Sequence, residues 1–386
     1  MKIHQVKKIT RSTRIPQANA ADRCCGSGKG TETASCCGPL MIVAGGEITD
    51  KVPGFISWVG TAAEKVPRIA TSLTYADHAG ACMARWGINR MRYIVPPGRY
   101  AIGTPGPDAP VLVTGNYTMS FDMVRNALSG RNAWLLVLET FGVNVWCAAG
   151  KGTFGTAELV RRIQKTGLHQ AVSHRQLLLP ILGAPGVSAH EVAKRTGFTV
   201  RYAAIRAEDL PSFLDNGMVT TPEMRKIGFT TYDRLVLVPV EIVLTLKSIA
   251  LFGGALFLAA LLANGFGAAT VMTLAYLGAV LTGVAIVPVL LPWIPGRSFA
   301  VKGALAGVVW SADLYLYAGG GSWSVTTTIA AFLALPAICA FYALNFTGCT
   351  TYTSPSGVKK EMHLGMPAMG SAVIAAVLLL VVGRFL

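Results

Sequence analysis

The segment VLVTGNYTMSFDMVRNALSGRNAWLLVLETFGVNVWCAAGK, residues 111–151, decides the fold of the N-terminal half of the chain. VLVTGN at 111–116 and AWLLVLE at 133–139 are apolar runs typical of buried strands. The residues between them predict a helix, because apolar side chains recur on one helical face, namely Phe121, Val124 and Leu128. A strand, a helix and a second strand in this order predict neighbouring parallel strands.

The same alternation continues towards the C-terminus. A helix is predicted from about Thr156, a strand at 176–182, a helix in SAHEVAKRTG and a strand at 198–205. The fold class is therefore α/β, a parallel sheet with helices on both faces. Ligands of such sheets bind at the carboxyl ends of the strands. This rule selects as candidate ligand contacts Thr114, Gly115, Asn116, Gly183 and Gly186.

The C-terminal part is too apolar for a soluble domain. Hydrophobic residues make up 52% of the 386 residues and charged residues only 14%, and the excess is concentrated after residue 247. Five runs approach the ~20 residues that cross a bilayer core. They predict an all-α transmembrane domain of five helices at about 247–265, 268–291, 299–318, 324–345 and 366–385.

Basic residues indicate the orientation in the membrane. They occur before the first apolar run, between the second and third, and between the fourth and fifth. The positive-inside rule then places the soluble domain in the cytoplasm and the C-terminus outside a cytoplasmic (inner) membrane. The net charge of +15 fits contact with the lipid bilayer, whereas no basic helix or aromatic-basic motif favours nucleic acid. Asp313 lies inside a span and is either a functional site or a hydrogen-bonded structural residue.

Four domains follow from these patterns. We predict a flexible tail at 1–45, a cytoplasmic domain at 46–234, an interfacial linker at 235–246 and the transmembrane domain at 247–386. The N-terminus lacks the apolar region of a secretory signal. The tail carries two vicinal cysteine pairs, Cys24, Cys25, Cys36 and Cys37. Paired thiolates suit a soft two-coordinate ion such as Hg(II), and the alternative is a tail without a role.

NVWCAAGK at 144–151 carries the chemistry. In a helix, Asn144, Cys147 and Lys151 share one face. Small residues follow the cysteine and allow close approach of a broad ligand. A thiolate is a soft ligand, and a nearby lysine favours it. The phosphate-binding GxxxxGK[ST] pattern is missing. These residues alone leave open whether Cys147 is a reactive thiol or a buried structural cysteine.

The segment NVWCAAGK resembles, at every position, the signature of the HgcA-type corrinoid protein family of microbial mercury methylation. The plan of residues 50–386, an α/β domain followed by five spans, also resembles that family. Its soluble domain is similar to the corrinoid-binding domain of the corrinoid iron-sulfur protein of acetyl-CoA synthesis.

The resemblance implies a corrinoid-dependent methyltransferase. Its cofactor is a cobalamin-type corrinoid, bound base-off with Cys147 as the lower axial cobalt ligand. The surrounding cap helix is formed by Asn144, Val145, Trp146, Ala148, Ala149, Gly150 and Lys151. Methyl passes from methyl-cobalt to Hg(II), as a carbanion or a radical, giving methylmercury. The implied partners are a ferredoxin-like iron-sulfur protein as reductant and a methyltransferase system as methyl donor.

Two other functions stay open. The motif discriminates poorly between substrates, so the chain is alternatively a membrane-bound corrinoid methyl carrier of another one-carbon pathway. A transporter with a regulatory α/β domain is the third hypothesis. A histidine-ligated corrinoid is not favoured, because His169, His174 and His190 do not form an Asp-x-His-x-x-Gly segment.

Overall fold

A computed structural model of the chain describes residues 50–350 and 355–385. The soluble part is built on one seven-stranded sheet in the order β1-β2-β3-β5-β4-β6-β7. In chain order, the strands are β1 Phe55–Gly60, β2 Lys65–Ile69, β3 Gly98–Ile102, β4 Val111–Gly115, β5 Ala133–Leu138, β6 Gln176–Leu179 and β7 Thr199–Tyr202. The four strands predicted from the sequence are all present and lie side by side as β5, β4, β6 and β7.

The sheet is mixed, so the prediction of a parallel sheet is wrong for its other half. Strands β4 to β7 are mutually parallel, but β3 runs antiparallel to β5 and β1 antiparallel to β2. Of the three additional strands, β1 (FISWVG) is an edge strand with every second residue exposed, and β2 and β3 carry charged residues. In β3, for example, the fully buried Arg99 stacks over the Trp134 ring at 5.2 Å and pairs with Glu64 at 3.6 Å. A buried aromatic ring and a partly exposed carboxylate thus accommodate the arginine within the strand.

Helices cover both faces of the sheet. One face packs against α3, α4 and α6 through Ala148, Leu159 and Val192, and the other against α2 and α7 through Phe121 and Phe213. The helices of this domain are α1 Tyr75–Arg85, α2 Thr118–Ala127, α3 Val145–Lys151, α4 Thr156–Lys165, α5 Leu168–Ala171, α6 Ala189–Thr196 and α7 Leu210–Asp215. The predicted helices after strands β4, β5 and β6 are present.

The C-terminal part is helical, with four helices long and apolar enough to cross a membrane among the described residues. Its elements are α8 Thr231–Leu281, a π-helical turn Thr282–Ile286, α9 Val287–Leu290, α10 Phe299–Tyr317, α11 Val325–Asn345 and α12 Pro355–Val382. The first of the four candidate spans runs over Thr231–Leu290 and includes the regions of the first two predicted spans. The count of five spans is therefore not confirmed.

Helix α8 is bent back on itself at Gly265. This glycine has φ 81° and ψ 176°, a backbone conformation outside the helical range. A Cβ at Gly253 would lie 3.3 Å from the Tyr276 ring, although 23 residues of straight helix would separate these residues by about 35 Å. Residues 235–246, predicted to be a separate linker, belong to the first arm of α8 and continue directly into the apolar run. Proline at position 239 does not end the helix.

Close backbone contacts hold the helical bundle together. A Cβ at Gly303 would lie 2.6 Å from Ala340 Cα, and one at Gly307 would lie 2.5 Å from Pro336 Cα. Small residues at such crossings are typical of membrane helix packing. Asp313 of α10 is exposed and does not point into the packed bundle.

Candidate functional site at the carboxyl edge of the sheet

Helix α3 carries the signature segment, and six residues lie between the end of β5 and its first residue. Asn144 is its N-cap, and the Asn144 Oδ1 accepts a hydrogen bond of 2.9 Å from the Cys147 backbone N–H. Its inward residues Val145, Ala148 and Ala149 are buried in the core. Its outward residues are exposed, namely Trp146, Cys147, Gly150 and Lys151. Cys147 therefore lies on the surface at the carboxyl edge, and the structural-cysteine alternative left open by the sequence does not hold.

A buried hydrogen-bond network fixes the loop 139–143 that leads to α3. Asn116 at the end of β4 is fully buried. Its Oδ1 accepts from the backbone N–H groups of Thr140 at 3.0 Å and Gly142 at 3.2 Å, and lies 2.9 Å from Thr140 Oγ1. Its Nδ2 donates to Glu139 Oε1 at 2.6 Å. One asparagine thus joins the ends of two parallel strands and sets the course of the loop.

The same loop contains two successive residues in the left-handed region. Phe141 has φ 56° and Gly142 has φ 71°, and a non-glycine residue adopts this conformation at a steric cost. The Phe141 N–H donates to Glu139 Oε1 at 2.9 Å, which compensates for part of that cost. A Cβ at Gly142 would lie 2.8 Å from Ile94 Cγ2. Glycine is therefore needed where the loop approaches the segment before β3.

A cleft of about 260 Å³ opens beside the N-terminal end of α3. Its walls are mainly apolar and come from the carboxyl ends of β4, β6 and β7 together with α2 and α3. Thr114, Trp146 and Arg206 are among its lining residues. Arg206 Nη2 also donates to Asp233 Oδ2 at 3.0 Å in the first turn of α8. The cleft thus lies next to the junction with the helical bundle.

The ligand contacts predicted from sheet topology have different surroundings in the structure. Thr114 lines the cleft, whereas a Cβ at Gly115 would lie 2.9 Å from Thr140 Oγ1. Gly183 and Gly186 do not line the cleft; a Cβ there would meet the Phe154 ring at 2.5 Å and the Ala149 Cα at 3.0 Å respectively. Gly186 allows the loop after β6 to pack against α3, and Gly183 allows it to pack against Phe154 in the loop that follows α3. Their close packing favours a structural role over ligand contact.

Glu139 and Thr140 were not among the sequence candidates. Glu139 accepts from Asn116 and Phe141, its own N–H donates to Glu158 Oε1 at 2.9 Å, and Thr140 is buried within the same network. Two polar residues directly after the buried run AWLLVL were the available signal. Their role as supports of a loop depends on Asn116, which is 23 residues away from Glu139 along the chain.

Other predicted groups lie elsewhere. The four tail cysteines, Cys24, Cys25, Cys36 and Cys37, fall outside the described residues. His174 precedes β6 at the opposite, amino edge of the sheet, where its Nε2 lies 2.9 Å from the Ala109 carbonyl oxygen. Within residues 50–350 and 355–385, no three His, Cys, Asp or Glu side chains are grouped to hold a metal ion. Cys147 is the sequence-predicted metal ligand that the structure places at the carboxyl edge.

Comparisons with known proteins match the region that builds this edge. Residues 90–209 match the family model described as CO dehydrogenase/acetyl-CoA synthase delta subunit. The acetyl-CoA decarbonylase/synthase complex subunit gamma of Methanopyrus kandleri is 36% identical over 124 residues, 31% of this chain and 26% of that protein. The gamma subunit of Archaeoglobus fulgidus is 38% identical over 92 residues, 23% of this chain and 20% of that protein.

The gamma subunit of Methanocaldococcus jannaschii is 32% identical over 124 residues, 32% of this chain and 25% of that protein. The chain thus spans about a quarter of the length of the curated relatives it matches. The matches bear out, for the soluble domain alone, the resemblance to the corrinoid iron-sulfur protein of acetyl-CoA synthesis. Residues 90–209 are therefore similar to part of a CO dehydrogenase/acetyl-CoA synthase subunit.

Proposed function

We propose that this chain is a membrane-anchored corrinoid protein in which the Cys147 sulfur is the lower axial ligand of cobalt. The observation that carries the proposal is the position of Cys147. Its side chain lies on the exposed face of α3, at the ligand-binding edge of a domain similar to acetyl-CoA decarbonylase/synthase subunits. Four apolar helices among the described residues supply the anchor.

The exposed face of α3 fits a broad, flat cofactor. At Gly150, no heavy atom lies within 4 Å of the place where a Cβ would stand, so a ring can approach the backbone there. The cleft of about 260 Å³ is smaller than the roughly 300–1,000 Å³ of pockets for drug-sized ligands. It would hold at most a substituent of the macrocycle, and the exposed residues of α3 around Cys147 would hold the ring. Trp146, half-exposed at the rim, would contact both parts.

When bound, the corrinoid supplies a cobalt–carbon bond from which a methyl group can be transferred. The protein's own contribution is ligation and orientation. Asn116 and Glu139 hold the loop, Asn144 caps α3, and the three buried residues of α3 fix its rotation, so the Cys147 side chain faces outward. Lys151, one turn later on the exposed surface, places a positive charge where it attracts a thiolate.

For the acceptor of the methyl group, we propose Hg(II), with methylmercury as product. The support is the NVWCAAGK segment, which resembles the signature of the mercury-methylating family at every position, together with the apolar helices that follow the α/β domain. A ferredoxin-like iron-sulfur protein as reductant and a methyltransferase system as methyl donor belong to this proposal. So do the base-off corrinoid, a cytoplasmic soluble domain and an external C-terminus.

The test is methylation of Hg(II) by the purified full-length protein with bound corrinoid, a methyl source and a reductant. We expect methylmercury from the unaltered protein and from Cys82→Ala, which removes another exposed cysteine on α1. We expect none above background from Cys147→Ala. If Cys147→Ala forms methylmercury at the unaltered rate, the proposed role of Cys147 is wrong.

The second candidate is a corrinoid methyl carrier of another one-carbon pathway. The names of the relatives favour it, since they are subunits of acetyl-CoA decarbonylase/synthase complexes. The same protein preparation discriminates between the two functions. Bound corrinoid that accepts methyl but never transfers it to Hg(II) would favour the second candidate. A preparation without cobalt or corrinoid absorbance would favour the transporter hypothesis.

A further inference from the structure

An apolar patch with a basic rim occurs where the soluble domain meets the helical bundle. Its four large apolar side chains are 45–54% exposed, namely Met83, Trp86, Ile88 and Met91. Gly87 and Asn89 adopt left-handed φ angles of 74° and 52°, and the Ile88 N–H donates to the Met83 carbonyl oxygen at 2.9 Å. The chain therefore turns back at the end of α1 and brings Ile88 next to Met83. We call residues 83–92 the α1 patch.

The charge of the α1 patch is entirely positive. Residues 83–92 contain three arginines and no acidic residue, namely Arg85, Arg90 and Arg92. The nearest acid on α1, Asp77, pairs with the buried Arg125 at 2.9 Å and does not neutralise the rim. Apolar side chains bordered by cations are typical of elements that lie in a membrane interface.

Contacts with α8 locate the α1 patch relative to the apolar helices. A Cβ at Gly87 would lie 3.1 Å from Val243 Cγ1. Val243 lies on the first arm of α8, four residues before Lys247, where the long apolar run begins. The α1 patch is thus attached to the helix at the position where the helix would enter the bilayer core. If α8 enters a bilayer core at that point, the exposed side chains of the patch would lie near the lipid headgroups.

We propose that the α1 patch docks into the headgroup layer of a leaflet containing anionic lipid. The inference rests on the membrane anchoring in the proposed function and adds a second, peripheral contact. Large exposed apolar surfaces mark interaction sites, and continuity with α8 together with the three arginines selects an anionic bilayer as the partner. The contact would hold the carboxyl edge of the sheet close to the membrane. It would also support loop 139–143, because Gly142 packs against Ile94 directly after the patch.

Photocrosslinking from single positions of the full-length protein tests this docking. A benzophenone amino acid replaces Ile88 in the α1 patch, Leu262 in the apolar run of α8, or Lys194 on α6 at the far edge of the sheet. All three side chains are exposed, so the protein should fold in each case. The variants are reconstituted in phosphatidylethanolamine vesicles with or without phosphatidylglycerol, and lipid adducts are counted by mass spectrometry. We expect adducts at 88 and 262 and only background at 194.

Substitution of arginines tests the preference of the α1 patch for anionic lipid. Each arginine near a membrane surface contributes roughly fivefold in preference for anionic lipid. Arg90→Gln with Arg92→Gln should therefore lower the ratio of phosphatidylglycerol to phosphatidylethanolamine adducts at 88 by more than about tenfold. The matched pair Lys194→Gln with Arg195→Gln should leave the ratio unchanged. An unchanged ratio in the patch pair would overturn the anionic preference.

The position controls keep the two proposals apart. Adducts at 262 without adducts at 88, or adducts at 88 to protein in place of lipid, would overturn the docking of the α1 patch and leave the membrane anchor intact. Absence of adducts at both 262 and 88 would overturn the membrane anchor itself, and the docking with it.

Discussion

The two halves of the molecule use buried polar groups differently. In the soluble half, one group of them lies at the carboxyl edge of the sheet, where Asn116, Glu139 and Thr140 hold the loop before Cys147. In the helical half, they bond to backbone carbonyls or to each other. Lys302 Nζ, for example, donates to the carbonyl oxygens of Leu291 and Ile294.

This difference bears on function. A directed network that fixes the loop before an exposed thiol is expected of a site that must hold a ligand in one orientation. Polar groups that only satisfy helix ends and helix contacts are expected of an anchor. We infer that the chemistry lies at α3 and that the bundle holds it at a membrane. Four changes test this division of roles, beginning with the largest expected effect.

Replacement of Asn116 should have the largest effect. Asn116→Ala removes the acceptor of two backbone N–H groups and the donor to Glu139. Each buried group that is left unsatisfied costs about 1–3 kcal/mol. Because only part of this cost should remain in the variant, we expect the free energy of unfolding to fall by roughly 2–4 kcal/mol. Corrinoid affinity should fall about 10- to 100-fold, which is the loss typical when a group that supports a metal ligand is removed.

Chemical denaturation and corrinoid titration measure both effects of Asn116→Ala. Asn132→Ala is the matched control, because Asn132 accepts from Thr104 N–H at the opposite edge of the sheet and is exposed. It should lower stability by at most about 1 kcal/mol and leave corrinoid affinity unchanged. Equal affinities for Asn116→Ala and the unaltered protein would contradict a role of the network in the site.

Gly142→Ala should have the next effect. Adding a Cβ at φ 71° costs about 1–2 kcal/mol, and the Cβ would also press on Ile94 at 2.8 Å. Gly130→Ala is the control, because Gly130 has φ 73° but no heavy atom within 4 Å of the Cβ position. Unfolding midpoints and corrinoid affinity should both fall further for Gly142→Ala. Identical behaviour of the two variants would show that the Ile94 contact is unimportant.

Tyr342→Phe tests the helical half. The Tyr342 hydroxyl lies 3.1 Å from both Ser248 Oγ and the Tyr276 hydroxyl. Hydrogen bonds between membrane helices average about 0.6 kcal/mol, so the thermal midpoint of the reconstituted protein should fall slightly. Tyr317→Phe, at an exposed side chain, should not change it. Corrinoid affinity should stay the same in both, and a decrease in Tyr342→Phe would contradict the separation of roles.

The smallest effect is expected from pH. Burial alone would raise the pKa of Asp77, but hydrogen bonds from Thr74 and the charge of Arg125 outweigh it, so its pKa is below the usual value. A group whose pKa is lowered in the folded state stabilises the protein above the ordinary aspartate range. This stabilisation is lost as the pH falls through the folded-state pKa. Arg125 is buried and the Asp77 side chain is 11% exposed, but their contribution is lost only below the ordinary aspartate range, so the effect at mildly acidic pH is under about 1 kcal/mol.

Hydrogen exchange of α1 measures the effect of Asp77. Protection of α1 should fall on acidification in the unaltered protein. In Asp77→Asn, protection should be lower at neutral pH and should change less with acid. If acid lowers the protection of α1 equally in both proteins, a group other than Asp77 causes the loss.

The sequence predicted the four parallel strands, because each is a continuous apolar run followed by a helical pattern. It did not predict β1, an edge strand with every second residue exposed, or β2 and β3, in which a proline and two arginines break that pattern. Arg99 needs Trp134, 35 positions later, to be accommodated. The apolar runs of the bundle were recognisable by length. The number of membrane crossings could not be recognised in this way, because α8 reverses its direction at a single glycine.

Cys147 was identified from the sequence because chemistry and resemblance both depend on a short local segment. Thr114, selected by the rule that ligands bind at strand ends, lines the cleft. The same rule did not reveal that Asn116 supports the loop, nor that Gly183 and Gly186 are needed for packing of the loop after β6. Those roles depend on contacts between residues far apart in the chain.

Cobalt K-edge X-ray absorption of the purified full-length protein with bound corrinoid tests the central proposal most directly. We expect a sulfur neighbour of cobalt in the unaltered protein and in Cys82→Ala, and its loss in Cys147→Ala. Cobalt without a sulfur neighbour in the unaltered protein, or a sulfur neighbour that persists in Cys147→Ala, would contradict it.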